Sequence, residues 1–170
     1  MEEAKPVVLP WGRVEGHQCF GCCPENPAGL GLRFVRESDW ELSSGFSIGP
    51  QHESYPSVVH GGIAATVLDE LMGNALAICR RRLCFTTGLR TRFIEPLRTG
   101  RRYRAVARID DASEGKPVYR VEADITDTEG NLLVIASGSY QAITRERARA
   151  AMGEQWLSWA DYHGYLAVAP

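Results

Sequence analysis

The longest regular pattern of apolar residues in the chain lies between residues 61 and 82. Apolar side chains recur there at intervals of three and four residues, which is the spacing of one helix face. They also cover most of the helical wheel, and such a helix is buried on more than one side. The pattern predicts one long, central helix. Its apolar positions are Ile63, Ala64, Val67, Leu68, Leu71, Met72, Ala75, Leu76, Ile78 and Cys79.

Six other segments have the composition of β-strands, two before this helix and four after it. In the clearest one, residues 116–127, apolar and polar side chains alternate, as in a strand with one buried face. Turn sequences rich in Gly, Pro and Asp separate the last four segments and predict antiparallel hairpins. The other predicted strands cover residues 30–38, 40–48, 85–96, 101–112 and 132–143, and residues 49–57 are predicted to form a loop.

Two strands, one helix and four strands in that order predict an α+β fold, with a curved antiparallel sheet of about six strands wrapped around the helix. We divide the chain into an N-terminal extension (1–16), one domain (17–143) and a C-terminal helical tail (144–170). The tail is predicted to pack on the domain or on a partner subunit. It carries aromatic residues at helical spacing, namely Trp156, Trp159, Tyr162 and Tyr165.

Composition narrows the classes of partner. The net charge is −2 over 170 residues, which argues against nucleic acid as the main partner. We find no apolar run close to the ~20 residues that span a bilayer, so we expect no membrane association. The N-terminus is acidic and lacks a long apolar segment, so we expect a cytoplasmic protein. The odd count of five cysteines favours free thiols over a disulfide framework.

The sequence His60-Gly61-Gly62 precedes the long helix. The first amides of a helix have no intrahelical partner and lie at the positive end of the helix dipole. The two glycines would leave these N–H groups uncovered, so a carbonyl or an oxyanion could dock there. Alternatively, the glycines only permit a sharp turn. His60 could be a base, but a role in capping and orienting the turn is favoured.

Asp69 and Glu70 interrupt the apolar pattern, on a strip of the helix that also holds Thr66, Gly73 and Asn74. Either this strip faces solvent, or at least one carboxylate lines a partly buried site suited to base chemistry. Gly61 and Asp69 are eight residues apart, which is ~12 Å along a helix. They therefore serve different tasks, or two copies of the helix meet antiparallel, with Asp69 facing the Gly61 of another chain.

Four segments of the sequence resemble the hotdog-fold acyl-CoA thioesterases of the PaaI-like (phenylacetate-degradation) type, over residues 17–143. They are "CFGCCPENPAGLGLRF", "HGGIAATVLDELMG", "TTGLRTRFIEPLRTG" and "GKPVYRVEADITDTEGNLLVIASGSY". The resemblance implies a sheet wrapped around one helix and a homodimer joined edge to edge, often paired into a dimer of dimers. It also implies active sites at the dimer interface.

The resemblance also implies roles for individual residues. Asp69 matches the catalytic carboxylate, as nucleophile or as general base, and the Gly61 N–H matches the group that polarises the thioester carbonyl. Thr86 matches a residue that positions water, with Thr87 as the alternative one position along. We add His60 to this catalytic set. The substrate is an acyl-CoA, coenzyme A being part of the substrate, and no cofactor or metal is expected.

Further positions are expected to contact the substrate. Gly115 and Lys116 match a turn that in some relatives lies near the CoA phosphates. Ser54 stands where some relatives carry Asn, so its role is less defined, and Glu70 is a second-choice acid. Gly62 and Thr87 complete this group.

Other chemistries were weighed against this interpretation. His17, Cys19, Cys22 and Cys23 could bind zinc if Cys79 and Cys84 supplied a second pair of ligands, or Cys-x-x-Cys could be a redox motif. A structural or substrate-entrance loop is favoured over both. The sequence thus predicts hydrolysis of an acyl-CoA or related thioester. The alternatives are an enoyl-thioester hydratase or dehydratase, and a non-catalytic acyl-CoA-binding protein.

Overall fold

A computed structural model describes residues 6–9, 11 and 14–166 of the protein, apart from the side chains of residues 161 and 162. The predicted N-terminal extension and C-terminal tail are therefore described only in part. The side chain of Tyr162, one of the four aromatic residues predicted to align along the tail, lies outside the described residues.

The order of elements is the one predicted, with one additional hairpin before the central helix. The strands are β1 (Val35–Arg36), β2 (Glu41–Ser47), β3 (Glu53–Tyr55), β4 (Val58–Val59), β5 (Cys84–Phe93), β6 (Arg102–Ile109), β7 (Val118–Asp127) and β8 (Leu132–Ala142). The helices are α1 (Gly61–Arg80) and α2 (Arg145–Tyr162).

Six strands form one antiparallel sheet in the order β1-β2-β6-β7-β8-β5. The central helix α1 packs on one face of this sheet, against β2, β5, β6, β7 and β8. Strand β5 is ten residues long and forms an edge of the sheet. This arrangement confirms the predicted α+β hotdog fold, with a six-stranded sheet around one long helix.

Burial follows the two periodicities that predicted the elements. On α1, Val67, Leu68, Leu71 and Met72 are completely buried. On β7, the alternate residues at 119, 121, 123 and 125 face α1 and are at most 3% exposed. The two faces join in one hydrophobic core.

The apolar character of α1 also bears on the expectation that no segment could span a membrane. By length and composition alone, α1 is long and apolar enough to do so, so that expectation was wrong for this helix. However, 56% of its most apolar 18-residue window is buried inside the protein. The helix occupies the position of a core helix, which explains its composition.

Two boundaries differ from the prediction. The helix ends at Arg80 and not at residue 82, because Arg81 adopts a left-handed conformation (φ 53°) and its N–H donates to the carbonyl of Leu76. Residues 49–57, predicted as a loop, contain β3, which pairs with β4 in a small second sheet. The tight turn between them includes Ser57 at φ 63°, a conformation that strand propensities do not predict.

The described part of the tail packs on the domain of its own chain. Trp159 contacts Trp11 edge to face, with ring centroids 6.4 Å apart, and stacks on Tyr165 at 5.3 Å. These rings form a small second core with Ala77 of α1. A break at Gly153 (φ 76°) turns the second half of α2.

Tyr140 of β8 is 1% exposed, and its ring lies over Gly138, two residues earlier on the same strand. A β-carbon at position 138 would lie 2.7 Å from the Tyr140 Oη and 2.8 Å from Cζ. Because the buried ring has no room to move, we expect Gly138→Ala to lower the free energy of unfolding by about 1–3 kcal/mol. Urea denaturation measures this loss.

Gly45→Ala is the matched control, since a β-carbon on that glycine of β2 would meet no atom within 4 Å. Its effect should stay within about 0.5 kcal/mol. Equal losses in the two variants would contradict the close packing at Gly138.

Candidate active site

The start of α1 is capped by the residue that precedes it. The Gly62 N–H donates to His60 Nδ1 at 2.9 Å, and the N–H groups of Ile63 and Ala64 donate to the His60 carbonyl. The expectation that both glycine amides are uncovered was therefore wrong for Gly62. Because His60 Nδ1 accepts this bond, the structure places His60 as the helix cap. Gly61 is left as the first-turn amide that a ligand could reach.

Gly61 lines a cavity of about 320 Å³ between the β3–β4 hairpin and the end of β5. Ser54 lines the same cavity, as do the aromatic residues Tyr55 and Phe93. The Phe93 ring lies 3.4 Å from the position of a β-carbon on Gly61. We call the Gly61 N–H and this cavity the amide half-site.

Asp69 lies two turns further along α1 and is held by two hydroxyl groups from the sheet. Thr86 Oγ1 donates to Asp69 Oδ1 at 3.0 Å, and Tyr140 Oη donates to the same oxygen at 2.9 Å. Within the described part of the chain, no group donates to Asp69 Oδ2, so this oxygen is available to a water molecule or a substrate. We call Asp69, Thr86 and Tyr140 the carboxylate half-site.

Strand pairing explains how two distant hydroxyls reach one carboxylate. Thr86 of β5 is directly opposite Tyr140 of β8, and opposed residues in an antiparallel pair project from the same face. A bulge follows, in which Thr86 pairs with Tyr140 and Gly88 with Ser139, so that Thr87 is the extra residue. Thr87 Oγ1 donates to the Ser139 carbonyl instead. The contact with Asp69 therefore belongs to Thr86.

Sequence reasoning did not identify Tyr140. The sequence contained one indication of its role: Tyr140 is one of the alternate residues of β8 that face the core, two residues after Gly138. Burial and the negative charge of Asp69 raise the pKa of the Tyr140 hydroxyl well above its usual value. Tyr140 therefore remains a proton donor to Asp69 at neutral pH and fixes the orientation of its carboxylate.

Glu70 follows Asp69 but belongs to a different set of contacts. Cys19 Sγ donates to Glu70 Oε1 at 3.3 Å, and Asn74 Nδ2 donates to the same oxygen at 2.8 Å. The N-terminal loop lies directly over this carboxylate, since a β-carbon on Gly21 would meet Glu70 Oε2 at 2.6 Å. Asp69 is thus directed to the sheet, and Glu70 to the loop.

The carboxylate half-site opens into a second cavity of about 380 Å³, lined by the N-terminal loop, α1, the start of β5 and Trp156 of α2. Among the described residues, none lines both this cavity and the one at Gly61. The eight residues between Gly61 and Asp69 correspond to ~12 Å of helix. One chain therefore presents two half-sites that a single small carbonyl group cannot contact together.

The turn containing Gly115 and Lys116 lies away from both cavities in the described chain. Glu114, which precedes this turn, forms an ion pair with Arg80 at 2.9 Å. The turn is therefore at the C-terminal end of α1, opposite the end that carries Gly61.

Comparisons with known proteins agree with this architecture. Residues 57–134 match the model of the thioesterase superfamily. A crystal structure of a thioesterase superfamily protein superposes with a TM-score of 0.64 and 23% identity, over 70% of this chain and 57% of that chain. This chain thus spans little more than half the length of that protein. No significant match is found among curated protein sequences.

Two further structures share the fold at lower identity. The E. coli PaaI protein from the phenylacetic acid degradation operon has a TM-score of 0.60 and 15% identity, over 66% of this chain and 83% of that chain. A hypothetical thioesterase from Streptococcus pneumoniae, with coenzyme A, has a TM-score of 0.59 and 15% identity, over 65% and 87%. The predicted resemblance to hotdog thioesterases is confirmed for the fold, which PaaI shares, and by the superfamily model over residues 57–134.

The raised pKa of Tyr140 makes stability depend on pH in the alkaline range. Above about pH 10 an unfolded tyrosine loses its proton, whereas native Tyr140 keeps it. The free energy of unfolding therefore falls as pH rises through this range. We expect Tyr140→Phe to reduce the slope by up to about 1.4 kcal/mol per pH unit, measured by urea denaturation between pH 9 and 11.5.

Thr86→Val provides the control, because it removes the other hydrogen bond to Asp69 without removing a titrating group. It should lower stability at every pH and leave the alkaline slope as in the unmodified protein. An unchanged slope in Tyr140→Phe would contradict the buried, protonated state of this hydroxyl.

Proposed function

We propose that the protein is a thioesterase that hydrolyses an acyl-CoA, or a related acyl thioester, to a carboxylic acid and a thiol. One observation carries the proposal. The Asp69 carboxylate, on the central helix of a hotdog fold, accepts hydrogen bonds from Thr86 and Tyr140 at Oδ1, and Asp69 lines a cavity. The superfamily match at residues 57–134 includes this aspartate.

In the proposed reaction, Asp69 Oδ2 takes a proton from a water molecule that attacks the thioester carbonyl carbon. Alternatively, Oδ2 attacks that carbon directly, and water then hydrolyses the resulting anhydride to the carboxylic acid and free Asp69. The Gly61 N–H of another chain stabilises the negative charge on the carbonyl oxygen. The carbon–sulfur bond then breaks, and the departing thiolate takes up a proton. Thr86 orients the water and Tyr140 holds Asp69. No step requires a cofactor beyond the coenzyme A of the substrate.

The edge strand β5 supports an assembly that would complete the site. Thr86 near one end of β5 contacts Asp69, and Phe93 at its other end lies beside Gly61. An antiparallel pairing of two β5 strands centred between Leu89 and Arg90 places Thr86 of each chain opposite Phe93 of the other. Each Asp69 would then face the Gly61 of its partner, twice in one symmetric dimer.

Exposed apolar groups along this edge favour such pairing. Leu89 is 39% exposed, Phe93 53% and Ile94 43%, on a long edge strand whose backbone groups are free to pair. We propose a homodimer on this edge, which can pair further into a dimer of dimers. The partner's Gly115–Lys116 turn is proposed to contact the CoA phosphates, and the coenzyme A in the pneumococcal structure supports this class of ligand. A cytoplasmic location is part of the proposal.

Asp69→Ala should reduce kcat for the best acyl-CoA substrate by at least ~10²-fold, because it removes the group that moves the proton. Release of free thiol from a panel of acyl-CoAs measures turnover, and calorimetry with coenzyme A measures binding, which should be retained. Glu122→Ala, an exposed carboxylate on the outer face of β7, is the control and should act as the unmodified protein.

Near-normal turnover of Asp69→Ala would remove Asp69 from the mechanism. In the unmodified protein, two results would contradict the thioesterase proposal itself. Loss of enoyl absorbance without thiol release would indicate a hydratase, and acyl-CoA binding without turnover would indicate a non-catalytic binding protein.

Gly61→Pro tests the amide half-site. Gly61 is the first residue of α1, where proline is well tolerated, and His60 has the extended conformation (φ −60°, ψ 132°) that precedes proline. The substitution removes the N–H and adds the proline ring, and we expect a loss of about 10²–10³ in kcat. Gly61→Ala keeps the N–H and should remain active. Its β-carbon would lie 3.4 Å from the Phe93 ring, which is an ordinary van der Waals contact.

Mixing the inactive Gly61→Pro and Asp69→Ala variants tests the shared site. After dissociation and random reassociation, half of the dimers are mixed and each mixed dimer has one intact site. About a quarter of the unmodified activity should therefore return. If both groups acted within one chain, no activity would return.

A further inference from the structure

Three potential metal ligands meet in the N-terminal loop, on the wall of the cavity that Asp69 also lines. One ligand atom each from His17, Cys19 and Cys22 lies within 4.8 Å of the other two. In tetrahedral zinc sites, with Zn–S near 2.3 Å and Zn–N near 2.1 Å, neighbouring ligand atoms are about 3.4–3.8 Å apart. A contraction of at most about 1.4 Å would bring the three atoms to ligand spacing.

His17 provides a second observation that points to a ligand. Its Nδ1 is buried and has no hydrogen-bond partner among the described residues. The ring is held between the loop and α2, where its centroid lies 6.1 Å from that of Trp156. A buried ring nitrogen without a partner is costly, and a metal ion would satisfy it.

Hydrogen bonds of the loop distinguish Cys19 from Cys23. The Cys22 N–H donates to Cys19 Sγ at 3.4 Å, which fixes this sulfur beside Cys22. Cys23 Sγ instead donates to the His17 carbonyl at 3.2 Å. The two neighbouring cysteines therefore have different tasks, Cys22 within the cluster and Cys23 in holding the loop.

Helix α1 supplies a carboxylate beside Cys19, although its oxygens are not within 4.8 Å of all three ligand atoms, so Glu70 would have to move toward them on binding. Glu70 Oε1 lies 3.3 Å from Cys19 Sγ, close to the spacing of two ligands on one zinc ion. Asn74 Nδ2 donates to this oxygen and fixes it, as groups hydrogen-bonded to metal ligands commonly do. The glycine at position 21 is what lets the loop approach Glu70 so closely.

We propose that His17, Cys19, Cys22 and Glu70 bind one zinc ion, which fastens the N-terminal loop to α1. Two thiolates, one imidazole and one carboxylate form a set that suits a borderline cation in tetrahedral geometry. Binding releases the two thiol protons and involves no redox change. With four protein ligands the ion has a structural role, and the site does not depend on the proposed hydrolysis.

Two other arrangements fit the structure less well. Cys79 and Cys84, the other possible pair of ligands, are engaged elsewhere. Cys79 Sγ lies 3.7 Å from the Glu41 carbonyl, and Cys84 Sγ lies 3.8 Å from the Arg82 carbonyl. A Cys19–Cys22 disulfide would use both thiols but would leave the His17 Nδ1 without a partner. It remains an outcome that the experiment can detect.

The experiment uses the full chain, reduced and stripped of metal, and titrates it with Co²⁺ as a spectroscopic probe and then with Zn²⁺. We expect one equivalent of Co²⁺, with thiolate-to-cobalt charge transfer and tetrahedral ligand-field bands, displaced by one equivalent of Zn²⁺. Cys22→Ser and His17→Ala each remove a direct ligand. Each should weaken metal binding by more than about 10–100-fold, the cost of removing a group that only hydrogen-bonds to a ligand.

Cys23→Ser is the matched control, because it changes the adjacent thiol and should keep the cobalt spectrum and the stoichiometry. Circular dichroism of every variant confirms that it is folded. Equal loss of binding in Cys23→Ser and Cys22→Ser would overturn the assignment, as would the absence of stoichiometric binding to the reduced protein. A mass decrease of about 2 Da with Cys19 joined to Cys22 in protein purified without reductant, and no bound metal, would overturn it as well.

Discussion

The structure depends on one constraint: the central helix must be buried to form the core, yet it carries two adjacent carboxylates. Val67, Leu68, Leu71 and Met72 have no exposed surface, so the helix cannot turn Asp69 and Glu70 outward together. A charge removed from water costs several kcal/mol unless hydrogen bonds replace the lost hydration. The sheet and the N-terminal loop supply those bonds, to one carboxylate each.

Successive residues on a helix point about 100° apart, and this angle separates the two carboxylates. Asp69 is directed to Thr86 and Tyr140 on adjacent strands, and Glu70 to Asn74 and the Cys19 thiol. Each network includes a close approach that only glycine allows, Gly138 under the Tyr140 ring and Gly21 over Glu70. Two neighbouring acids thereby acquire different hydrogen-bond partners, although both line the same cavity.

Periodicity was sufficient to predict the fold, since α1 and β7 bury the faces that their sequences indicate. It failed where the information is not periodic: the left-handed residues Ser57 and Arg81 determine the β3–β4 turn and the end of α1. At the candidate site, helix geometry and resemblance predict Asp69 and Gly61, and their roles stay predictions. Tyr140 could not be predicted, because its position opposite Thr86 depends on a strand register that includes a bulge.

The proposed zinc ligands could not be predicted together from the sequence either, because they too are brought together by the fold. Zinc motifs are found as two pairs of ligands close in sequence, and the pair sought, Cys79 and Cys84, lies in another part of the fold. The fourth ligand comes instead from Glu70, which the apolar pattern marks only as an interruption. A zinc ion bound there would fix the loop that lines the cavity beside Asp69. Trp156 of α2, whose ring lies next to that of His17, lines the same cavity. The length of acyl chain that the site accepts would then depend on the loop and the tail, while the chemistry depends on the helix and the sheet.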